Sequence, residues 1–138
     1  MSAENTSVEP SNGKTRPLAL VVDDEFANRN IVSEFLKLLG FDVITASDGE
    51  EGWAHYIERL PKLVISDLNM PRKDGIALLS QIKKHNKDQV VFLVTGYYNR
   101  DQWDDGAEVV PDACLSKPFT IADLQNSITS AFGSDFCD

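Results

Sequence analysis

The chain has 138 residues, a length that fits one domain, and 42% of it is hydrophobic, enough for a packed core. Twenty-two acidic residues against 13 basic ones give a net charge of −9, which argues against nucleic-acid binding because phosphate backbones attract basic surfaces. No apolar run reaches the ~18 residues of a membrane span, the N-terminus lacks the apolar core of a signal peptide, and two cysteines, Cys114 and Cys137, exclude a disulfide framework or a cysteine-based zinc site.

A reducing, cytoplasmic setting is therefore expected. Residues 1–16 are polar and hold too little apolar surface to offset the entropy of ordering, which predicts a disordered tail. Its acids, Glu4 and Glu9, balance Lys14 and Arg16, so the negative charge belongs to residues 17–138. Residues 17–133 are expected to form the domain, and 134–138 a short C-terminal tail. Leu18–Val22 is a continuous apolar run, the pattern of a strand buried on both faces. Residues 26–39 place Val32, Phe35, Leu36 and Leu39 on one helical face, with Gly40 as a stop. Asp42–Thr45 reads as a second strand. Asp48 and Glu51 resemble a capping box for a helix carrying Trp53, Ile57 and Leu60, ended by Pro61. Leu63–Ser66 is a third strand, and Asp74 can cap a helix bearing Ile76, Leu79 and Ile82. Val90–Val94 is a fourth strand. A helix is expected over Asn99–Val109 by position, although Asp101, Asp104, Asp105, Gly106 and the following Pro111 support it poorly. Ala113–Ser116 is a fifth strand. Thr120 with Asp123 caps a last helix with Ile121, Leu124 and Ile128 inward and Gly133 after it.

Five strand–helix units predict a single-domain α/β fold, a doubly wound five-stranded parallel sheet with helices on both faces. In such sheets ligands bind beyond the carboxyl ends of the strands. Strand one ends in Asp23, Asp24 and Glu25, strand three in Asp67, strand four in Thr95 and Gly96, and strand five in Lys117 and Pro118. A parallel sheet brings these ends to one edge, as a carboxylate cluster beside a hydroxyl and an ammonium. Two carboxylates about 4 Å apart repel by about 4 kcal/mol at an effective dielectric of ~20, so the cluster needs protons or a cation. Oxygen ligands alone suit a hard cation such as Mg²⁺. A metal, a carboxylate, a hydroxyl and a lysine together suit phosphoryl transfer. Each piece also has a plain structural role open to it: Asp23-Asp24 or Thr95 as helix caps, Asp67 as a turn former, Lys117 as a solvated lysine.

The motifs VVDDE (21–25), VISDLNMPRKDG (64–75), VTG (94–96) and LSKPF (115–119) make the chain resemble the receiver domain of two-component response regulators, in the manner of a stand-alone chemotaxis regulator. The resemblance spans about residues 17–133. It implies a flavodoxin-like sheet of order 2-1-3-4-5. It implies Asp67 as phosphoacceptor, Mg²⁺ held by Asp24 directly and by Asp23 through water or nearby placement, and further ligation by Asp67 and the backbone carbonyl of Asn69. Lys117 would pair with the phosphoryl group, and Thr95 would donate its hydroxyl to it while drawing its loop inward. It implies a cis Lys117–Pro118 bond. The implied donor is a histidine kinase or a histidine phosphotransfer protein, and the output a downstream protein partner, with no nucleic acid or membrane engaged and the chain a monomer or weak dimer.

Three positions depart from the family pattern. Cys114 stands three residues before the lysine, where an aromatic that turns inward on activation is usual, so the Thr95 half of the switch is expected without the aromatic half. Cys114 itself is expected to be buried and inert. Val109-Val110-Pro111 replaces the usual small residues near the end of the fourth helix, predicting a short or mobile segment between Tyr98 and Pro111, with Trp103 packed on the domain. Tyr97 and Tyr98 follow Gly96 at the rim, either as shields of the phosphoryl group or as surface aromatics. With little chain beyond the last helix, the expectation is a single-domain regulator rather than an enzyme. Two other readings stay open. One is a receiver-like interaction module that works without phosphorylation. The other is a phosphohydrolase, for which His55 and His85 fall on helices two and three, away from the strand ends.

Overall fold

The computed structural model of the protein describes residues 16–68, 70, 74–96 and 110–133. Numbered in chain order, the elements are β1 (Leu18–Val22), α1 (Phe26–Leu38), β2 (Asp42–Ala46), α2 (Gly49–Arg59), β3 (Leu63–Asp67), α3 (Gly75–His85), β4 (Val90–Thr95), β5 (Ala113–Ser116) and α4 (Ile121–Phe132). The five strands form one parallel sheet of order β2-β1-β3-β4-β5, as the resemblance implies. The helix expected over 99–109, the mobility of that region, and the placement of Tyr97, Tyr98 and Trp103 all lie outside the described residues, as do residues 1–15 and 134–138. Arg16, read from sequence as the end of the tail, reaches the start of β2: its Nε lies 3.4 Å from the Asp42 carboxylate and its Nη2 donates to the Lys37 and Phe41 carbonyls.

The continuous apolar strands follow from burial on both faces. Ala19 and Val21 of β1 face one core, with Val32 and Leu36 of α1 and Leu124 and Ile128 of α4. Leu20 and Val22 face a second core, with Tyr56 of α2 and Leu78, Leu79 and Ile82 of α3. Alternate side chains of one strand thus serve opposite layers.

Helix ends obey local chemistry. Past α1 the Phe41 N–H donates to the Leu36 carbonyl and the Gly40 N–H to that of Lys37, a Schellman stop that needs Gly40 at φ +103°. Asp74 accepts from the Ala77 N–H, and Thr120 and Asp123 form a full capping box. At α2 only half of the expected box forms. Asp48 accepts from the Glu51 N–H, but the Glu51 carboxylate turns to the Ser47 N–H and hydroxyl, which hold its pKa below the ordinary range.

Two sequence expectations are corrected. The inward face of α2 is Gly49, Gly52 and Tyr56 with Trp53 beside it, whereas Ile57 and Leu60 are exposed. A Cβ on Gly52 would lie 2.9 Å from a Val22 methyl, so the glycine lets α2 close on β1 and rolls Ile57 outward. Leu60 is no longer on the helix. Pro61 disfavours helical backbone in the residue before it, and Leu60 caps the helix at φ 47°. The second correction is Cys114, which is exposed. β5 is an edge strand of alternating burial, and Leu115 alone of its four residues is buried.

Two measurements test this packing. A Cβ on Gly75 would sit 2.9 Å from the Leu68 Cα and collide with the Asp67 carbonyl oxygen, so Gly75→Ala is expected to cost about 1–3 kcal/mol in urea denaturation; an unchanged midpoint would contradict the contact. Cys114, in a Cys137→Ser background, is expected to react with a thiol reagent in the native state. The rate should rise with pH beyond the usual thiol range, because its partly desolvated setting raises the thiol pKa. A rate limited by global unfolding would mean the thiol is buried.

Candidate functional site

The carboxyl ends of β1, β3, β4 and β5 meet at one edge of the sheet because their register is shared: Val22 pairs with Ser66, Asp67 with Val94, and Thr95 with Ser116. Backbone hydrogen bonds carry the ladder one residue beyond the strands. The Asp23 N–H donates to the Ala46 carbonyl at 3.1 Å, that of Leu68 to Val94 at 2.8 Å, and that of Lys117 to Thr95 at 2.7 Å. Each candidate side chain is therefore fixed at its root.

Asp23, Asp24 and Asp67 each offer a carboxylate oxygen, and these oxygens lie within 4.8 Å of one another. Asp23 and Asp67 are buried while Asp24 is exposed. The Lys117 ammonium enters from the β5 end, 3.4 Å from Asp23 and 3.6 Å from Asp67. The other oxygen of Asp23 accepts from the Glu25 N–H at 2.9 Å, which turns the chain into α1. The cap of α1 is Glu25 and makes no side-chain cap bond, so the role of Asp23-Asp24 as helix caps is not the one adopted. Thr95, the last residue of β4, is fully buried at the same edge. The Lys117–Pro118 bond is cis, as the resemblance implies. Asn69, whose carbonyl completes the implied ligand set, lies outside the described residues.

One participant had no signal in the sequence. Arg29, one turn into α1, donates from Nη1 to the Asp23 carbonyl at 2.8 Å. A polar helix residue reads as solvated, and only the close passage of α1 over the end of β1 brings it to the site. The histidines stand elsewhere: His85 Nδ1 lies 3.0 Å from the Tyr56 hydroxyl, and His55 3.4 Å from Glu51.

The donor set fits a hard cation. Its ligands are all oxygen, two of the three carboxylates are buried, and one ammonium among the described residues contacts them for three negative charges. Among the described residues no helix is long and apolar enough to cross a membrane.

Residues 19–129 match the family model described as the response regulator receiver domain. The chain is 37% identical over 118 residues to a probable chemotaxis protein CheY of Rhizobium etli, covering 83% of this chain and 92% of that one. It is 34% identical over 112 residues to the transcriptional regulatory protein PrrA of Mycobacterium tuberculosis, covering 81% of this chain but 48% of that one, so it spans about half of that regulator's length. Among solved structures it is similar to the response regulator TrrA of Thermotoga maritima in complex with Mg²⁺-BeF, at TM-score 0.75 and 29% identity, covering 84% of this chain and 99% of the other. With the matched sheet, the acidic edge and these relatives together, the chain belongs to the response regulator receiver family and is a CheY-like receiver of two-component signalling.

Proposed function

We propose that this chain is a phosphoryl-accepting switch that takes a phosphoryl group onto Asp67 from a histidine kinase or a histidine phosphotransfer protein and passes the signal by protein–protein contact. The observation that carries this reading is the position of Asp67. It is a buried carboxylate at a strand end, with an ammonium 3.6 Å away and two more aspartates on the same edge.

In the proposed transfer an Asp67 carboxylate oxygen attacks the phosphorus of a phosphohistidine. The new P–O bond forms as the P–N bond breaks, and the departing imidazole takes up a proton. Asp23, Asp24 and Asp67 would hold Mg²⁺, with the Asn69 carbonyl added on the strength of the resemblance. The bound ion supplies charge neutralisation for the phosphoryl oxygens. Lys117 neutralises another phosphoryl oxygen, and the Arg29 bond to the Asp23 carbonyl keeps that aspartate's backbone in place. Phosphorylation adds about −1.5 to −2 charges and new acceptor oxygens. Thr95 then donates its hydroxyl toward them, and the loop after it moves, so the phosphorylated state favours one loop arrangement over the other. The acidic net charge favours protein partners over nucleic acid. The similar receiver of Thermotoga maritima is described in complex with Mg²⁺-BeF, and that likeness supports a site that takes Mg²⁺ here.

Treatment with acetyl phosphate and Mg²⁺ is expected to add one phosphoryl group by intact mass, with none added to Asp67→Asn or after removal of the metal with EDTA. Equal modification of Asp67→Asn would place the acceptor elsewhere. Replacing Lys117 by Met is expected to slow phosphoryl uptake by about 10²–10³-fold, the usual effect of removing one charge-stabilising donor, with far-UV circular dichroism unchanged. Uptake at the parent rate would remove Lys117 from the reaction.

A further inference from the structure

We propose that Arg29 is a positioning residue for the cation at the acidic edge. By holding the peptide that joins Asp23 to Asp24 it sets how these two neighbouring carboxylates converge, and with that the preference for Mg²⁺ over a larger cation. This rests on the assignment of Asp23, Asp24 and Asp67 as the Mg²⁺ ligands proposed above.

The difficulty the site must meet is geometric. In an extended strand successive side chains point to opposite faces. Asp23 and Asp24 are consecutive, yet each brings a carboxylate oxygen within 4.8 Å of the other's and of one from Asp67. The backbone must therefore leave the strand conformation between them. It does so abruptly. The Asp23 N–H still bonds to the Ala46 carbonyl, one rung beyond β1, while the chain bends at Asp24 and α1 begins at Phe26. Two bonds hold the bend. The Asp23 carboxylate accepts from the Glu25 N–H at 2.9 Å and closes the turn through the side chain. Arg29 Nη1 donates to the Asp23 carbonyl at 2.8 Å and holds the one peptide that links the two aspartates. Because a peptide is planar, a bond to its oxygen orients the Asp24 N–H as well and limits where both side chains can point.

The guanidinium is itself held. It lies over the Phe26 ring, 5.6 Å from the centroid, on the residue three positions earlier in α1. Phe26 is 72% exposed, so core packing does not account for an aromatic there, and the seat it gives Arg29 does. The charge of Arg29 plays the lesser part. Its bond goes to a neutral carbonyl, and by charge alone a guanidinium beside the site would repel Mg²⁺. The two roles have opposite signs: removing a repelling charge tightens cation binding, and removing a brace weakens it. They also differ in selectivity. Mg²⁺ demands near-octahedral geometry, whereas Ca²⁺ accepts a looser shell, so a misaligned carboxylate pair costs Mg²⁺ more while a change of charge acts on both ions alike.

The test is an amide NMR titration of the full chain with MgCl₂ and, separately, with CaCl₂, read at Asp23, Asp24 and Asp67. No phosphodonor is present, so the outcome is independent of phosphoryl chemistry. Arg29→Ala is expected to weaken Mg²⁺ binding about tenfold, the scale of losing one group that supports a metal ligand, and Ca²⁺ binding less, so that the preference for Mg²⁺ falls. Arg29→Lys keeps the charge without the planar fork and is expected to lie between Arg29→Ala and the parent. Phe26→Ala leaves every proposed ligand in place and is expected to weaken Mg²⁺ binding about two- to fivefold, the scale of an exposed cation–π contact. Mg²⁺ binding in Arg29→Ala as tight as in the parent or tighter, or an equal loss for the two ions, would overturn the proposal. Should Arg29→Ala fail to fold, parent affinity in Phe26→Ala would do the same. A parent without saturable Mg²⁺ binding would overturn the assignment of the ligands itself, and the role of Arg29 with it.

Discussion

Everything at the functional edge depends on one unfavourable interaction held in place by many favourable ones. Asp23, Asp24 and Asp67 bring carboxylate oxygens within 4.8 Å of one another, and two of the three residues are buried. Free in solution such groups would separate. Here they cannot, because each aspartate is at the end of, or just beyond, a strand whose register is locked by a parallel ladder. That ladder is buried on both faces, with ~1.5–3 kcal/mol gained for each fully buried large aliphatic or aromatic side chain. The sheet thus stores a negative potential at its rim, and Lys117 offsets only part of it. A negative potential of this kind draws a hard cation, and the burial of two of the three carboxylates keeps that attraction from being screened by water.

The packing that holds the rim in place extends to the far end of the sheet. Lys83 of α3 donates to the Gln89 carbonyl at 2.6 Å and to Asp112 at 2.9 Å, and the same Asp112 oxygen accepts from the Val91 N–H. This clamp ties the residue before β5 to the start of β4. The register of β5 on β4 then places Lys117 at the opposite end, one residue past Ser116. Gly75 does comparable work near the site: its N–H donates to the Leu68 carbonyl, and the lack of a Cβ lets the start of α3 rest on the Asp67 backbone. Positions distant in sequence therefore decide where the reactive groups stand.

Helix α1 serves both of its flanks. At its start Arg29 reaches the Asp23 carbonyl, and farther along the same helix Val32 and Leu36 pack into the core. A single guanidinium thus steadies the end of β1. The arrangement explains why an arginine this close to the acidic edge is directed to a backbone carbonyl rather than to a carboxylate. The bond fixes the aspartate's main chain while leaving the carboxylate to Lys117 and the Glu25 N–H.

Much of this protein is determined by local sequence. Apolar runs such as Leu18–Val22 define buried strands, Asp74 and the Thr120–Asp123 pair mark helix starts, and Gly40 marks a stop, because each depends on neighbours within a turn or two. The candidate rim residues were legible for the same reason: strand ends are local, and a parallel sheet has one carboxyl edge. What tertiary structure alone decided depends on how elements approach one another. Gly52 lets α2 close on β1 and so buries Tyr56 in place of Ile57. The edge position of β5 leaves Cys114 exposed. The passage of α1 brings Arg29 to Asp23, and Lys117 finds Asp23 across 94 residues of chain. Periodicity reports which face of an element is apolar, but not how near another element comes or which side chain it carries there, and those distances set the electrostatics of the site.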